Sequence, residues 1–262
     1  MKICVLVKEV PDAAVEKRID PNTGRLDRSG EKNLNPYDTH AIEAAMQIRE
    51  GGHPVEEIVA VTMGPESAVR TLHKAVSLGA DRSIHLCDEV LAGSDVAATG
   101  YALAQVLKRE QPDLVLLGQQ SDDGECYTIG AVVAEHLGMP SLTQVIKIDL
   151  EDGALRCERQ AEYGYDTVSV KLPAVISVGD AINEPRYPSL KAIMGAKKKP
   201  LETLKAADVG IDPNKVGGEH SAAQWIGIKP PPQKPPGEII EDEDTNETVE
   251  KIIAWLEQRK LL

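Results

Sequence analysis

Asp113-Leu114-Val115-Leu116-Leu117-Gly118 runs directly into Gln119-Gln120-Ser121-Asp122-Asp123-Gly124-Glu125-Cys126-Tyr127-Thr128-Ile129-Gly130. Asp113 to Leu117 is of strand length and almost wholly apolar, as expected for a strand buried on both faces of a parallel sheet. Glu125 to Leu137 reads as a helix closed by Gly138-Met139-Pro140. The link between them therefore leaves the carboxyl end of a strand and enters a helix, where open α/β sheets bind ligands. Backbone N–H groups at a helix start favour phosphate. The small residues Gly118, Ser121 and Gly124 allow a close approach to the backbone. Asp122, Asp123 and Glu125 repel a phosphate unless they point away, and an ordinary loop with Asp122 or Asp123 as N-cap explains the same residues.

The alternation extends toward the N-terminus. Ile3 to Val7, Glu57 to Met63 and Ser83 to Cys87 read as strands; Tyr37 to Arg49, Glu66 to Leu78 and Ser94 to Arg109 read as helices. Ala41, Ala44, Ala45 and Ile48 recur at helical spacing, Asn35-Pro36 suits a helix start, and Ser94 or Asp95 suits an N-cap. Between the first strand and first helix, Asp20-Pro21-Asn22-Thr23-Gly24 signals a turn. Strand–helix alternation predicts an α/β fold, a mostly parallel doubly wound sheet with helices on both faces.

Past Gly138 the period changes. Leu142 to Leu150, Ala154 to Gln160 and Thr167 to Leu172 are short and partly alternating, with Glu151-Asp152-Gly153 as a hairpin turn, so antiparallel additions to the sheet are expected. Ala174 to Val178 is one more apolar strand. After about residue 184 the pattern fades into a basic run, Lys197-Lys198-Lys199, a proline-rich stretch, Lys229 to Pro236, and the acidic Glu241-Asp242-Glu243-Asp244. A terminal amphipathic helix carries Val249, Ile252, Ile253 and Leu256 on one face with Trp255 beside them; it packs on a partner subunit or on the chain itself. The expected division is residues 1–184, an α/β domain, and 185–262, a loop, a proline-rich arm and the terminal helix.

Composition excludes several classes. The 262 residues carry a formal charge of −13, and aromatics are 3% with no Phe, a poor basis for a phosphate-tracking or base-stacking surface; no nucleic acid is expected. Hydrophobic residues at 42% supply a core, and no apolar run reaches the roughly 20 residues of a membrane span. Met1 to Val7 reads as a strand and not as a secretory signal. Cys4, Cys87, Cys126 and Cys157 are scattered, which suits inert thiols in a reducing cytoplasm and neither a disulfide framework nor a zinc site.

Signatures of dinucleotide fingerprint, P-loop, nucleophile elbow and zinc protease are absent, and the six histidines do not cluster. No catalytic acid, base or metal ligand is assigned; any chemistry comes from a cofactor. Asn35-Pro36-Tyr37-Asp38 opens a helix, where Asn35 either caps it or bonds a base or ribose.

Several segments together resemble the electron transfer flavoprotein beta subunits. They are Val7 to Asp12, Asn35-Pro36-Tyr37-Asp38, Met63-Gly64-Pro65, Leu78-Gly79-Ala80-Asp81, Gly118 to Gly130, Asn183-Glu184-Pro185-Arg186-Tyr187 and Ile193 to Lys199. Tyr163-Gly164-Tyr165 departs from the family pattern, which has acidic and glycine residues there. The resemblance implies an alpha-subunit partner carrying FAD and an adenine nucleotide in this chain. That nucleotide is structural AMP in the conventional branch and a second FAD in the electron-bifurcating branch, which takes two electrons from NADH and sends them along two paths.

By position, the implied nucleotide site comprises Leu6, Asn35, Pro36, Tyr37, Asp38 and Met63, with Gly118, Gln119, Gln120, Ser121, Asp123, Gly124, Glu125, Cys126, Tyr127, Thr128, Ile129 and Gly130. Asn35 is assigned to adenine or ribose and the Asp123 to Gly130 backbone to phosphate. Tyr187, Leu190, Ile193, Met194, Lys197 and Lys198 match the segment that docks acyl-CoA or other dehydrogenases, with Leu190 as the anchor; the alternative for Leu190 is a core residue. An acceptor oxidoreductase completes the implied partners. Gly124, Ile129, Pro11-Asp12 and the acidic Gly237 to Asp244 favour the FAD branch, whereas Glu125, Tyr127, Thr128 and Ala131 match neither. The competing readings are a stand-alone adenine-nucleotide-binding protein, which has no use for the C-terminal third, and a dehydrogenase, which lacks its glycine fingerprint.

Overall fold

Each long apolar run of the first 180 residues forms a strand, and the helices that connect these strands pack one face on the sheet they build. The computed structural model describes every residue except 152, 225, 230, 231, 233, 235, 238 and 240–243. In chain order the elements begin with β1 (Lys2–Leu6), β2 (Glu9–Pro11), β3 (Ile19–Asp20), β4 (Arg25–Leu26), β5 (Lys32–Leu34) and α1 (Pro36–Glu50). Next come β6 (Glu57–Met63), α2 (Val69–Leu78), β7 (Arg82–Leu86), α3 (Val96–Glu110), β8 (Leu114–Gly118) and α4 (Ile129–Leu137). The chain continues with β9 (Ser141–Glu151), β10 (Ala154–Ala161), β11 (Gly164–Lys171), β12 (Ala174–Val178), α5 (Leu190–Ala196), β13 (Leu201–Leu204) and α6 (Thr245–Gln258).

Nine strands form one sheet in the order β11-β10-β9-β12-β8-β1-β6-β7-β13. Every pair from β9 to β13 is parallel, while β10 runs antiparallel to both β9 and β11. The expected α/β architecture with antiparallel additions is thus the observed one. Ala41, Ala45 and Ile48 of α1 and Leu72 and Ala75 of α2 cover one face with Ile3, Val5 and Leu116. Ala98, Ala102 and Val106 of α3 and Val133 of α4 cover the other with Cys4, Val59 and Val115. Gly100 permits α3 and α4 to pack closely, since a Cβ there would lie 2.4 Å from Val132 Cγ1.

Three local expectations are refined. Asp95, not Ser94, caps α3 through the Ala98 amide at 2.8 Å. The helix read from Glu125 begins at Ile129, because Gly124 and Glu125 donate their amides to Ser121 O and close a separate turn, after which Glu125 and Tyr127 take positive φ. The polar stretch after β1 folds as two small antiparallel ladders, β2 with β5 and β3 with β4.

Two compact units are present, Met1–Ile228 and Lys229–Leu262. The boundary expected at 184 therefore falls inside the first unit. Residues after 184 return to it: Arg186 bonds α1, α5 contributes Ala196 to the core, and β13 pairs with β7. In the second unit Asp244 caps α6 through the Asn246 amide, and the Arg259 guanidinium stacks 3.9 Å from the Trp255 ring centroid. Asp152 of the expected hairpin turn, four residues of the proline-rich stretch and Glu241-Asp242-Glu243 lie outside the described residues. Among the described residues no helix is long and apolar enough to cross a membrane.

Candidate functional site

Strand order locates the site. From β1 the chain moves through α1 to β6 on one side; from β7 it returns through α3 to β8 on the other side of β1. The order reverses between β1 and β8, and the crevice beyond their carboxyl ends is where such sheets take ligands. Asp38, in the first turn of α1, joins the two strand ends. Its Oδ2 accepts the Lys8 amide at 2.8 Å and its Oδ1 accepts the Gly118 amide at 3.1 Å. Burial pushes the Asp38 carboxyl up to about 7 against the hydrogen bonds from Asn35, Lys8 and Gly118. Gly118 has no room for a side chain, since a Cβ would lie 2.6 Å from Tyr37 Cβ and 2.7 Å from Asp38 Oδ1.

The loop after β8 is tied down at three points. Asn35 Nδ2 donates to Gln120 O at 2.8 Å, and Asn35 Oδ1 accepts the Asp122 amide at 3.1 Å. Asn35 is buried and its side chain makes no helix cap, so it holds the loop instead of presenting its amide outward. Lys17 Nζ bonds Asp122 Oδ2 at 3.0 Å and Asp122 O at 2.7 Å. Asp123, only 1% exposed, takes Lys8 Nζ on Oδ1 at 2.8 Å and Arg28 on Oδ2. Burial raises the Asp123 carboxyl, but the Lys8 charge and the bonds from Lys8, Arg28 and Ser121 outweigh it and hold it at about 2. Neither aspartate caps α4. Both are turned into ion pairs, which removes their repulsion toward a phosphate.

The remaining positions fall as follows. Leu6 is buried, Tyr37 and Met63 are half-buried, the latter at the end of β6, and Pro36 is exposed. Gly124, Glu125, Cys126, Tyr127 and Thr128 are exposed on the loop, and Gly130 is buried against Leu117. Thr128 gives α4 no side-chain cap, and Gln120 Oε1 is buried without a hydrogen bond among the described residues. An uncapped helix start, an unsatisfied buried acceptor and ion-paired cations place polar donors and an acceptor around the mouth of the crevice. Lys8, Lys17 and Arg28 were missing from the expected contacts; Lys17 and Arg28 lie in the aperiodic stretch between β2 and β5, where pattern carries no signal.

A second surface lies at α5. Tyr187 and Leu190 are 95% and 81% exposed, Met194 and Ile193 are exposed, and Lys197 and Lys198 stand beside them in solvent. Leu190 is therefore a surface residue and not a core one. Ser189 caps α5, and Lys199 is tied back to Ala80 O at 2.8 Å. Among the described residues no group of His, Cys, Asp or Glu is placed to hold a metal ion.

Comparison with known proteins adds the lineage. Residues 23–209 match the electron transfer flavoprotein domain. The chain is 40% identical to electron transfer flavoprotein subunit beta of Mycobacterium bovis, with 99% of each chain covered. It is 36% identical to the caffeyl-CoA reductase-Etf complex subunit CarD of Acetobacterium woodii and 35% identical to electron transfer flavoprotein subunit beta of Megasphaera elsdenii, each over the whole of both chains. Matches spanning the sheet, the crevice loop and the α5 surface at this identity leave one assignment: the chain belongs to the electron transfer flavoprotein family, as a beta subunit.

Proposed function

We propose that this chain works as one half of a heterodimeric electron carrier, with an electron transfer flavoprotein alpha subunit, and holds an adenine nucleotide in the crevice between β1 and β8. The observation that carries the reading is the loop after β8, pinned by Asn35, Lys17, Lys8 and Arg28 at the switch point of the sheet. An ordered loop at a helix start is a preorganised anion site, because its donors need no rearrangement to receive a charge.

FAD is the preferred occupant, with AMP as the alternative. Gly124 and Ile129 support FAD, as do Pro11-Asp12. FAD supplies one- and two-electron chemistry when bound, and NADH is the proposed donor in that branch. The chain's own part is to bind, orient and shield: Asp38 holds the crevice walls together, and Asn35 fixes the loop. Tyr187, Leu190, Ile193 and Met194 form the docking face for an acyl-CoA or other dehydrogenase, with Lys197 and Lys198 steering acidic partners. An acceptor oxidoreductase receives the electrons. A cytoplasmic setting accords with four unpaired cysteines.

The test is nucleotide content. The chain is co-expressed with its alpha subunit, the complex is purified and extracted, and FAD and AMP are counted. Two FAD per heterodimer support the preferred branch. One FAD with one AMP assigns the conventional branch, and no nucleotide beyond the FAD of the alpha subunit removes the crevice assignment.

A further inference from the structure

Around Asp123 the positive charges and donors exceed what the carboxylate uses. Two cations, Lys8 and Arg28, meet one buried carboxylate. Lys8 has three N–H donors and spends two, on Asp123 Oδ1 and on Ser121 Oγ at 3.2 Å. Arg28 has five and spends one, on Asp123 Oδ2. One ammonium donor and four guanidinium donors are left without an acceptor among the described residues, and both side chains remain 45% exposed while Asp123 is sealed. The carboxylate therefore fixes the two cations without offering its own charge to a ligand. Gly124 leaves the approach open, since a side chain there would begin 3.3 Å from Ser121 Oγ and 3.9 Å from Lys8 Nζ. Asp122 adds no competing charge, because Lys17 pairs with it.

We propose that Lys8 and Arg28, locked together by Asp123, are the phosphate-binding cations of the crevice and recognise the phosphate or diphosphate of a nucleotide. This assignment rests on the nucleotide reading above and adds to it the residues that read the anion. A fixed guanidinium and ammonium contribute charge-assisted bonds to phosphate oxygens with little ordering on binding, because the side chains are already held.

The test titrates adenosine, AMP and ADP into the full chain freed of bound nucleotide, wild type beside Arg28→Gln and Lys8→Gln. The wild type is expected to bind ADP more tightly than adenosine. Each variant is expected to lose about tenfold or more in ADP affinity and to keep its adenosine affinity within about twofold. The preserved adenosine binding shows that the crevice has kept its shape. Variants that weaken adenosine and ADP equally, or neither, overturn the cation assignment and leave the nucleotide site standing. A wild-type chain that binds none of the three, in a heterodimer that also carries no nucleotide beyond the alpha-subunit FAD, overturns the nucleotide reading itself. The second measurement is nucleotide per heterodimer for the variants: full occupancy with unchanged retention in high salt also overturns the assignment, since phosphate contacts are the salt-sensitive ones.

Discussion

Arg186 and Glu43, 143 residues apart in sequence, are joined by two bonds, Nε to Oε2 at 2.7 Å and Nη2 to Oε1 at 3.0 Å. The same guanidinium reaches Glu50, two turns further along the same face of α1, at 2.6 and 2.8 Å. Asn183 adds a bond to His40 O at 3.0 Å, so the segment leading into the exposed α5 surface is laid along α1. The planar fork matters here, because it meets two carboxylates at once. Arg186→Ala leaves the Glu43 carboxylate, 7% exposed, without its partner. The expected cost is about 1–3 kcal/mol in urea unfolding. Arg186→Lys keeps the charge and loses the fork, and should fall between the two. A loss below about 0.5 kcal/mol for the alanine variant would show that the clamp is not structural.

Gly118→Ala tests the crevice wall. The new methyl would meet the Tyr37 backbone carbon and Cβ and the Asp38 Oδ1 inside normal contact; the first two are fixed to the start of α1 and cannot yield without moving the helix. Overpacking of this kind costs about 1–3 kcal/mol. Gly138→Ala is the comparison: it has positive φ but open space, so only the left-handed backbone is strained, at about 1 kcal/mol. Equal stability of the two variants in chemical denaturation would mean that the close approach at Gly118 relaxes freely.

The parallel sheet was legible because its strands are continuous apolar runs and its helices amphipathic. Both periods survive any tertiary context, as Ile3 to Val7 and Ala41 to Ile48 illustrate. The site was legible only as a place. Its chain position follows from β8 running into α4, but the contacts within it do not: Asn35 holds Gln120 and Asp122, and Lys8, Lys17 and Arg28 pair with the loop's aspartates. Ion pairs spanning about a hundred residues leave no periodic trace. β13 was missed for a related reason. Four residues on a sheet edge, Leu201–Leu204, are half polar and too short to show alternation.

Asp38 sets a pH dependence. Its folded value, about 7, lies above the ordinary 3.8, so the folded chain binds more protons than the unfolded one between those limits. Stability from this group is complete below about pH 4 and falls as pH rises toward 7, by up to about 1.4 kcal/mol per unit. Asp38→Asn removes that slope. It also sets an amide donor against the Lys8 or Gly118 N–H, so its stability should be lower at acid pH, where the native carboxyl is neutral. Urea titrations of both proteins between pH 4 and 7 check this; parallel curves would sink it.

Asp123 acts in the opposite sense and in a different window. Its folded value, about 2, lies below the ordinary 3.8, so its contribution is present above about pH 4 and is lost as pH falls toward 2. Asp123→Asn should flatten the acid limb of the stability curve and free the loop after β8 from Lys8 and Arg28. Amide exchange of residues 119–128 at neutral pH reports the second effect. Unchanged protection there would place the loop's order elsewhere, on Asn35 and Lys17.

Leu190→Ala separates docking from folding. Leu190 is 81% exposed at the first position of α5, and alanine is a better helix former, so unfolding free energy should change by less than about 0.5 kcal/mol. As an anchor in a partner's apolar pocket the same side chain is worth about 2 kcal/mol, which raises the Kd for a dehydrogenase roughly thirtyfold. Lys197→Gln with Lys198→Gln should act differently, slowing association and flattening its salt dependence while leaving dissociation nearly unchanged. The two variants thus divide anchor from steering by rate constants. An unchanged Kd for Leu190→Ala against every dehydrogenase that binds the complex would move the proposed docking face away from α5.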